Sequence, residues 1–135
     1  MDLAEQLTRD EGKRNFLYVD SVGKTSGGVG HNFTDLGLSD AAIAFILAED
    51  IARVQKQLAP FPWFQGLDEI RQGAVTNIAF NIGIGDLLHF PSALHYLSIK
   101  DYPNAAAAFL DSVWAKQVGD RAQRLARQLT EGVWV

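Results

Sequence analysis

Residues 10–31 read DEGKRNFLYVDSVGKTSGGVGH, and the rest of the chain arranges itself around this stretch. Asp10 and Glu11 close a segment in which Leu3 and Leu7 stand at i and i+4, one helical face. Gly12 supplies the stop, so a short helix is predicted over 2–11. Phe16–Asp20 can form a strand and Ser21-Val22-Gly23-Lys24 a turn. Thr25–His31 and Asn32–Leu36 are expected to be extended or looped. Glycine is frequent here, yet Gly23-Lys24-Thr25 lacks the spacing from a strand that a phosphate-binding loop needs. The stretch predicts a small Gly-rich β lobe set into a helical protein.

Ser39 is a good N-cap for a long helix, with Asp40 in its first turn. That helix should run to about Leu58 and stop before Pro60 and Pro62. Its predicted apolar stripe is Ile43, Ile46, Leu47, Ile51, Val54 and Leu58. Residues 67–82 form the next helix, apolar around most of its circumference and therefore central and buried. Gly83 and Gly85 end it. Shorter helices are expected at about 86–89, 91–99, 102–113 and 119–131, with Pro91 and Pro103 in first turns and Gly132 as the last stop. The expected architecture is α+β and mainly helical, one domain over 1–135. It comprises a small β lobe at 12–38, a connecting helix at 39–59, and a helical lobe made of 1–11 and 60–135.

Composition narrows the chemistry. The 135 residues are 47% hydrophobic and 21% charged, an ordinary globular balance. With no cysteine there is no disulfide scaffold, thiolate zinc site or cysteine nucleophile. His31, His89 and His95 are the only histidines, and no pair has a metal motif's spacing. No cofactor and no metal are called for. A net charge of -4 disfavours nucleic acid and anionic membranes as partners of the whole chain. No stretch is long and apolar enough for membrane insertion, and the start lacks a signal's apolar run. The expectation is a monomer made in a cytoplasm and staying there unless released.

Glu11 is expected in the last turn of the first helix. The helix's negative end and the neighbouring Asp10 both favour a protonated carboxyl, which a general acid needs. Asp20 stands nine residues on. Two carboxyls on opposite sides of a bond are the arrangement of glycoside hydrolysis, although Asp also opens turns such as Asp20-Ser21-Val22-Gly23. Ser26 or Thr25 could orient a water. Asp50 is the one charge on the long helix's apolar stripe and needs a partner; His31, closing the Gly-rich segment, is the candidate for a structural ion pair. Asn77 and Asn81 share a face of the central helix and could bind an amide or hydroxyl. Phe80, Phe90 and Trp114 suit either the core or the edge of a sugar cleft. Arg121, Arg124 and Arg127 recur every third residue on the last helix. They form either a solvated face or a reach toward Glu11 or Asp10.

Together these residues resemble the phage-type lysozymes, glycoside hydrolase family 24. The pattern Glu, eight residues, Asp, five residues, Thr, then Gly-x-Gly-His is matched by Glu11, Asp20, Ser26 and Gly28-Val29-Gly30-His31. Further matches are Tyr18, then Asn77, Phe80, Gly83 and Phe90. Trp114, Arg121-Ala122, Arg124, Gly132 and Trp134 complete them. The resemblance spans nearly the whole chain in order.

The resemblance implies a β-containing lobe joined by a long helix to a helical lobe, with a cleft between them. It implies hydrolysis of the β-1,4 bond between N-acetylmuramic acid and N-acetylglucosamine in peptidoglycan, with Glu11 as acid and Asp20 activating or positioning water. Arg121 would sit near the catalytic Glu, His31 and Asp50 would pair, and Asn81, Phe80, Phe90 and Trp114 would contact or adjoin substrate. In a phage setting it implies action on the periplasmic wall after release by a separate membrane-permeabilising protein. A lytic transglycosylase or a non-catalytic wall-binding module would keep the same fold. Departures are Ser26 for the family Thr, Asn81 for Gln, a much shortened β lobe, and an acidic chain. Gly27 also stands in place of an apolar residue, so a looser segment is expected there.

Overall fold

A computed structural model describes all residues, 1–135, as ten helices and one small sheet. The chain divides into two compact units, Met1–Ile46 and Leu47–Val135. No helix is long and apolar enough to cross a membrane.

The first unit opens with α1 (Leu3–Glu11). Asp2 caps it by accepting the Glu5 N–H at 2.8 Å, while the Glu5 carboxylate accepts the Asp2 N–H at 2.8 Å. Gly12, at φ 80°, ends it. β1 (Arg14–Val19), β2 (Thr25–Gly28) and β3 (His31–Asn32) follow in an antiparallel sheet of order β1-β2-β3. Tyr18 lies opposite Ser26 and Val19 opposite Thr25, with an irregularity in β1 between Arg14 and Tyr18. Of the segment Asn32–Leu36, expected to be extended or looped, Asn32 ends β3 and the rest is helical: α2 (Phe33–Leu36) is capped by the Asn32 amide oxygen, which accepts the Asp35 N–H at 3.0 Å. The cap satisfies a first-turn donor that an extended chain would leave to water.

The α3 helix (Asp40–Leu58) begins where expected, with Ser39 Oγ accepting the Ala42 N–H at 3.1 Å. Its predicted stripe is buried only toward its C-terminal end. Val54 and Leu58 enter the core, whereas Ile43, Ile46 and Leu47 stay 42–50% exposed. Periodicity identified the helix; how far along a stripe burial extends depends on neighbours that periodicity cannot name.

In the second unit, α4 (Pro62–Gln65) is a single turn started by Pro62, so this proline opens a helix as well as following the end of one. The α5 helix (Glu69–Ile82) carries the buried Ala74, Val75, Ile78 and Ala79. After α6 (Ile84–Leu87) and α7 (Pro91–Ser98), the helix expected over 102–113 breaks in two. The α8 helix (Tyr102–Leu110) stops, and Ser112 caps a new α9 (Val113–Val118) by accepting the Ala115 N–H at 3.2 Å. The last helix is α10 (Asp120–Glu131). The core lies wholly in this unit, around Leu58, Ile78, Leu87, Leu97, Phe109 and Leu129. Arg71 ties its end together. The guanidinium donates to the Leu129 and Thr130 carbonyls at 2.7 and 3.2 Å, meets Asp68 at 2.8 Å, and stacks over the Tyr102 ring at 3.9 Å.

Candidate active site

Glu11 is the last residue of α1 and its side chain is exposed. It lies over the β2–β3 turn. A Cβ built on Gly30 would meet Glu11 Oε2 at 3.2 Å and its Cγ at 3.4 Å. Gly30 also has φ 64°, so the Gly28-Val29-Gly30-His31 turn needs glycine twice over, for backbone hand and for room under the carboxylate. Glu11 makes no hydrogen bond within its unit, whereas the adjacent Asp10 is held by Arg9 at 2.7 Å. Of the two carboxylates that begin the motif, Glu11 is the uncommitted one.

Asp20 opens the turn that its position before Ser21-Val22-Gly23 predicted. Its Oδ1 accepts the N–H groups of Val22 and Lys24 at 3.0 and 2.9 Å, which builds the turn. Its Oδ2 faces the Ser26 hydroxyl at 3.5 Å. Hydroxyl–carboxylate bonds are usually about 2.7 Å, so Ser26 is beside Asp20 without being clamped to it. Ser26 is only 5% exposed. Successive residues of a strand face opposite sides, so Thr25 and Ser26 cannot both face Asp20. The structure turns Ser26 to it, and the Thr25 backbone N–H instead donates to Thr34 Oγ1 at 2.8 Å.

The looseness expected at Gly27 is absent. Gly27 is buried, with Leu17 Cδ2 2.9 Å and Phe33 Cε2 3.3 Å from where a Cβ would stand. These neighbours occupy the space of the missing side chain.

His31 and Asp50 each have a partner close in sequence. The His31 Nε2–Gly37 carbonyl oxygen distance is 2.7 Å, and the ring meets Phe33 edge-on at 4.6 Å. Asp50 accepts from Arg53 Nη1 at 2.7 Å, one turn along α3. The charge on the apolar stripe thus has a partner within its own helix, at i+3.

Within the second unit the Arg121 guanidinium donates through Nε and Nη2 to Asn77 Oδ1 at 3.0 and 2.8 Å. This pins α10 to α5. Asn81 Oδ1 accepts the Trp114 indole N–H at 2.8 Å. Trp114 is 6% exposed and belongs to the core, so its face is covered; Asn81 itself is exposed. Phe80 is exposed and lines an open groove of about 390 Å³ with Asn77, Arg121 and Trp134. Phe90 is half-buried, tilted against Phe109 at 5.2 Å, and borders a second depression with Ser92 and Asp111.

Two features of the site escaped the sequence reading. Thr34 and Asp35 on α2 bond the strand and turn that carry Asp20. The signal was the Asn32-x-x-Asp35 pattern followed by Gly37, an N-cap and stop that mark a one-turn helix. The contact of Glu11 with Gly30 had no such signal, because it joins elements across a turn.

A glutamate without a hydrogen bond thus ends α1 over a Gly-x-Gly turn, and an aspartate just past β1 sits beside a hydroxyl. The sequence profile described as phage lysozyme matches residues 8–131, and the chain belongs to that family. Its class is that of the lysozymes, hydrolases of peptidoglycan. The chain is 31% identical to the endolysin of Salmonella phage P22, with 93% of this chain and 89% of the relative covered. It is 23% identical to probable T4-type lysozyme 1 of Dictyostelium discoideum, covering 96% and 94%. It is 27% identical to the pre-baseplate central spike protein of Enterobacteria phage T4. That match takes in 98% of this chain but spans only 28% of the spike protein.

Proposed function

We propose that this chain is an inverting muramidase. Glu11 gives its proton to the glycosidic oxygen as the bond from C1 of N-acetylmuramic acid breaks. Asp20 takes a proton from a water that attacks C1 from the opposite face, with the Ser26 hydroxyl orienting that water. One bond to C1 forms as the other breaks, and configuration inverts. The observation that carries this reading is the division of labour at Asp20: one oxygen is committed to two backbone donors, and the other is left beside a hydroxyl at 3.5 Å. That separation suits a water shared by the two groups. Phe80 offers an exposed ring to a sugar face, Asn81 an exposed amide, and Phe90 an edge. Trp114 acts through Asn81, by fixing the amide's orientation.

The test is mass spectrometry of fragments from purified peptidoglycan, with proton NMR of the first-formed anomer. Reducing N-acetylmuramic ends released as the α-anomer, and absent with Glu11→Gln, are expected. The β-anomer would replace inversion by retention. Anhydro ends would make the enzyme a lytic transglycosylase, and retained wall binding without product would make it a recognition module.

A further inference from the structure

We infer that the one-turn helix α2 is the positioning element of the water-activating group, acting through Thr34 and Asp35. This rests on the reading of Asp20 as that group. Lys24 is the residue through which Asp20 is held. Its backbone N–H donates to Asp20 Oδ1 at 2.9 Å, and its carbonyl accepts the Asp20 N–H at 2.8 Å. Lys24 is in turn fixed from α2, where Asp35 Oδ1 accepts its ammonium at 2.8 Å. The next residue, Thr25, gives its backbone N–H to Thr34 Oγ1 at 2.8 Å. Asp35 is steadied by the Asn32 amide, which donates to Oδ2 at 2.8 Å. Two consecutive residues, one on either side of the strand entry that brings Ser26 up to Asp20, are therefore bonded by consecutive side chains of one helical turn.

A small sheet buried only at two positions of its central strand has little packing to hold this geometry. Ser26 and Gly27 are the only buried residues of β1, β2 and β3. Hydrogen bonds from α2 supply the constraint that a larger lobe would obtain from a core. Geometry of this kind acts on rate, since a displacement of about 1 Å in a reacting group can cost about a hundredfold.

The experiment compares Thr34→Val, Thr34→Ser and Lys24→Met with wild type on soluble peptidoglycan fragments, alongside Asp20→Ala and a melting curve for each. Thr34→Val keeps the shape and removes the acceptor. It should lower kcat about tenfold with KM unchanged, and Thr34→Ser should restore most of the rate. Lys24→Met, which removes the ammonium and keeps the backbone bonds, should lower kcat severalfold. Folded Thr34→Val and Lys24→Met with wild-type kcat would overturn the inference. So would a raised KM at constant kcat, which would make α2 a substrate contact. If Thr34→Val fails to fold, Lys24→Met decides alone. Full activity in Asp20→Ala would instead overturn the reading on which the inference rests.

Discussion

At the scale of single residues, the placement of the Glu11 carboxylate depends on a position with no side chain. Replacing Gly30 by Ala places a Cβ 3.2 Å from Glu11 Oε2 and forces an L-residue to hold φ 64°. The strained backbone should cost about 1 to 2 kcal/mol, and displacement of Glu11 should lower kcat further than that loss of stability explains. Thermal melts and kinetics on the same sample separate the two effects. Glu11→Gln should leave the melting curve unchanged, because the side chain is exposed, and reduce turnover by about 10² to 10⁴, the usual worth of a general acid. The two hydroxyls should part company in the same assay. Ser26→Ala is expected to lose much more rate than Thr25→Ala, because Ser26 alone faces Asp20. The reverse result would assign the water to Thr25. The proximity of Ser26 to Asp20 was legible in the sequence because their spacing follows the motif, with Ser26 in the place of its Thr. The bond between Asp50 and Arg53 follows the i, i+3 spacing of a helix and was open to reading in the sequence as well.

At the scale of elements, several caps and stops were legible from their chemistry, while the Asn32 and Ser112 caps were not taken up. Gly12, Ser39, Gly83 and Gly132 all stand at the helix ends assigned to them or next to them. Of the one-turn helices, α6 was expected within two residues of its place, whereas α2 and α4 were not legible, since four residues give too little periodicity to register. The Asp68–Arg71 pair at the head of α5 offers a pH test. Burial pulls the Asp68 carboxyl upward, but hydrogen bonds from the Arg71 side chain and backbone, with the Arg71 charge, outweigh it and hold the group below its ordinary 3.8. A carboxyl depressed in the folded state stabilises the protein above that ordinary value. The contribution is lost as pH falls below it, through the folded-state value. Asp68→Asn should therefore destabilise at neutral pH and flatten the acid limb of a melting-temperature profile below about pH 4. An unchanged limb would show that Arg71 stands as well on its carbonyl partners alone.

At the scale of the whole molecule, the two units differ in what holds them. Every large, fully buried side chain lies beyond residue 54. Phe109→Ala should cost about 3 to 5 kcal/mol, whereas any single truncation on β1 should cost far less. Hydrogen exchange should find its slowest amides in α5, α8 and α10 and rapid exchange through Met1–Ile46. Equal protection in both units would contradict this division. The fold class and the order of elements were readable from composition shift and period. The exposure of Ile43, Ile46 and Leu47 was not, because periodicity shows which side of a helix is apolar and not whether anything lies against it.

The close approach of Trp134 to Gly73 has an optical consequence. A Cβ at Gly73 would come within 2.5 to 2.7 Å of the indole ring, so the ring rests directly on the α5 backbone while its other side is open. Trp114 is enclosed, and the molecule has only one further tryptophan, Trp63. Iodide should reach Trp134 and spare Trp114. Emission quenched by iodide should thus follow the C-terminal tail as it peels away. The shielded, blue-shifted fraction should follow the core, giving two unfolding clocks in one unlabelled protein.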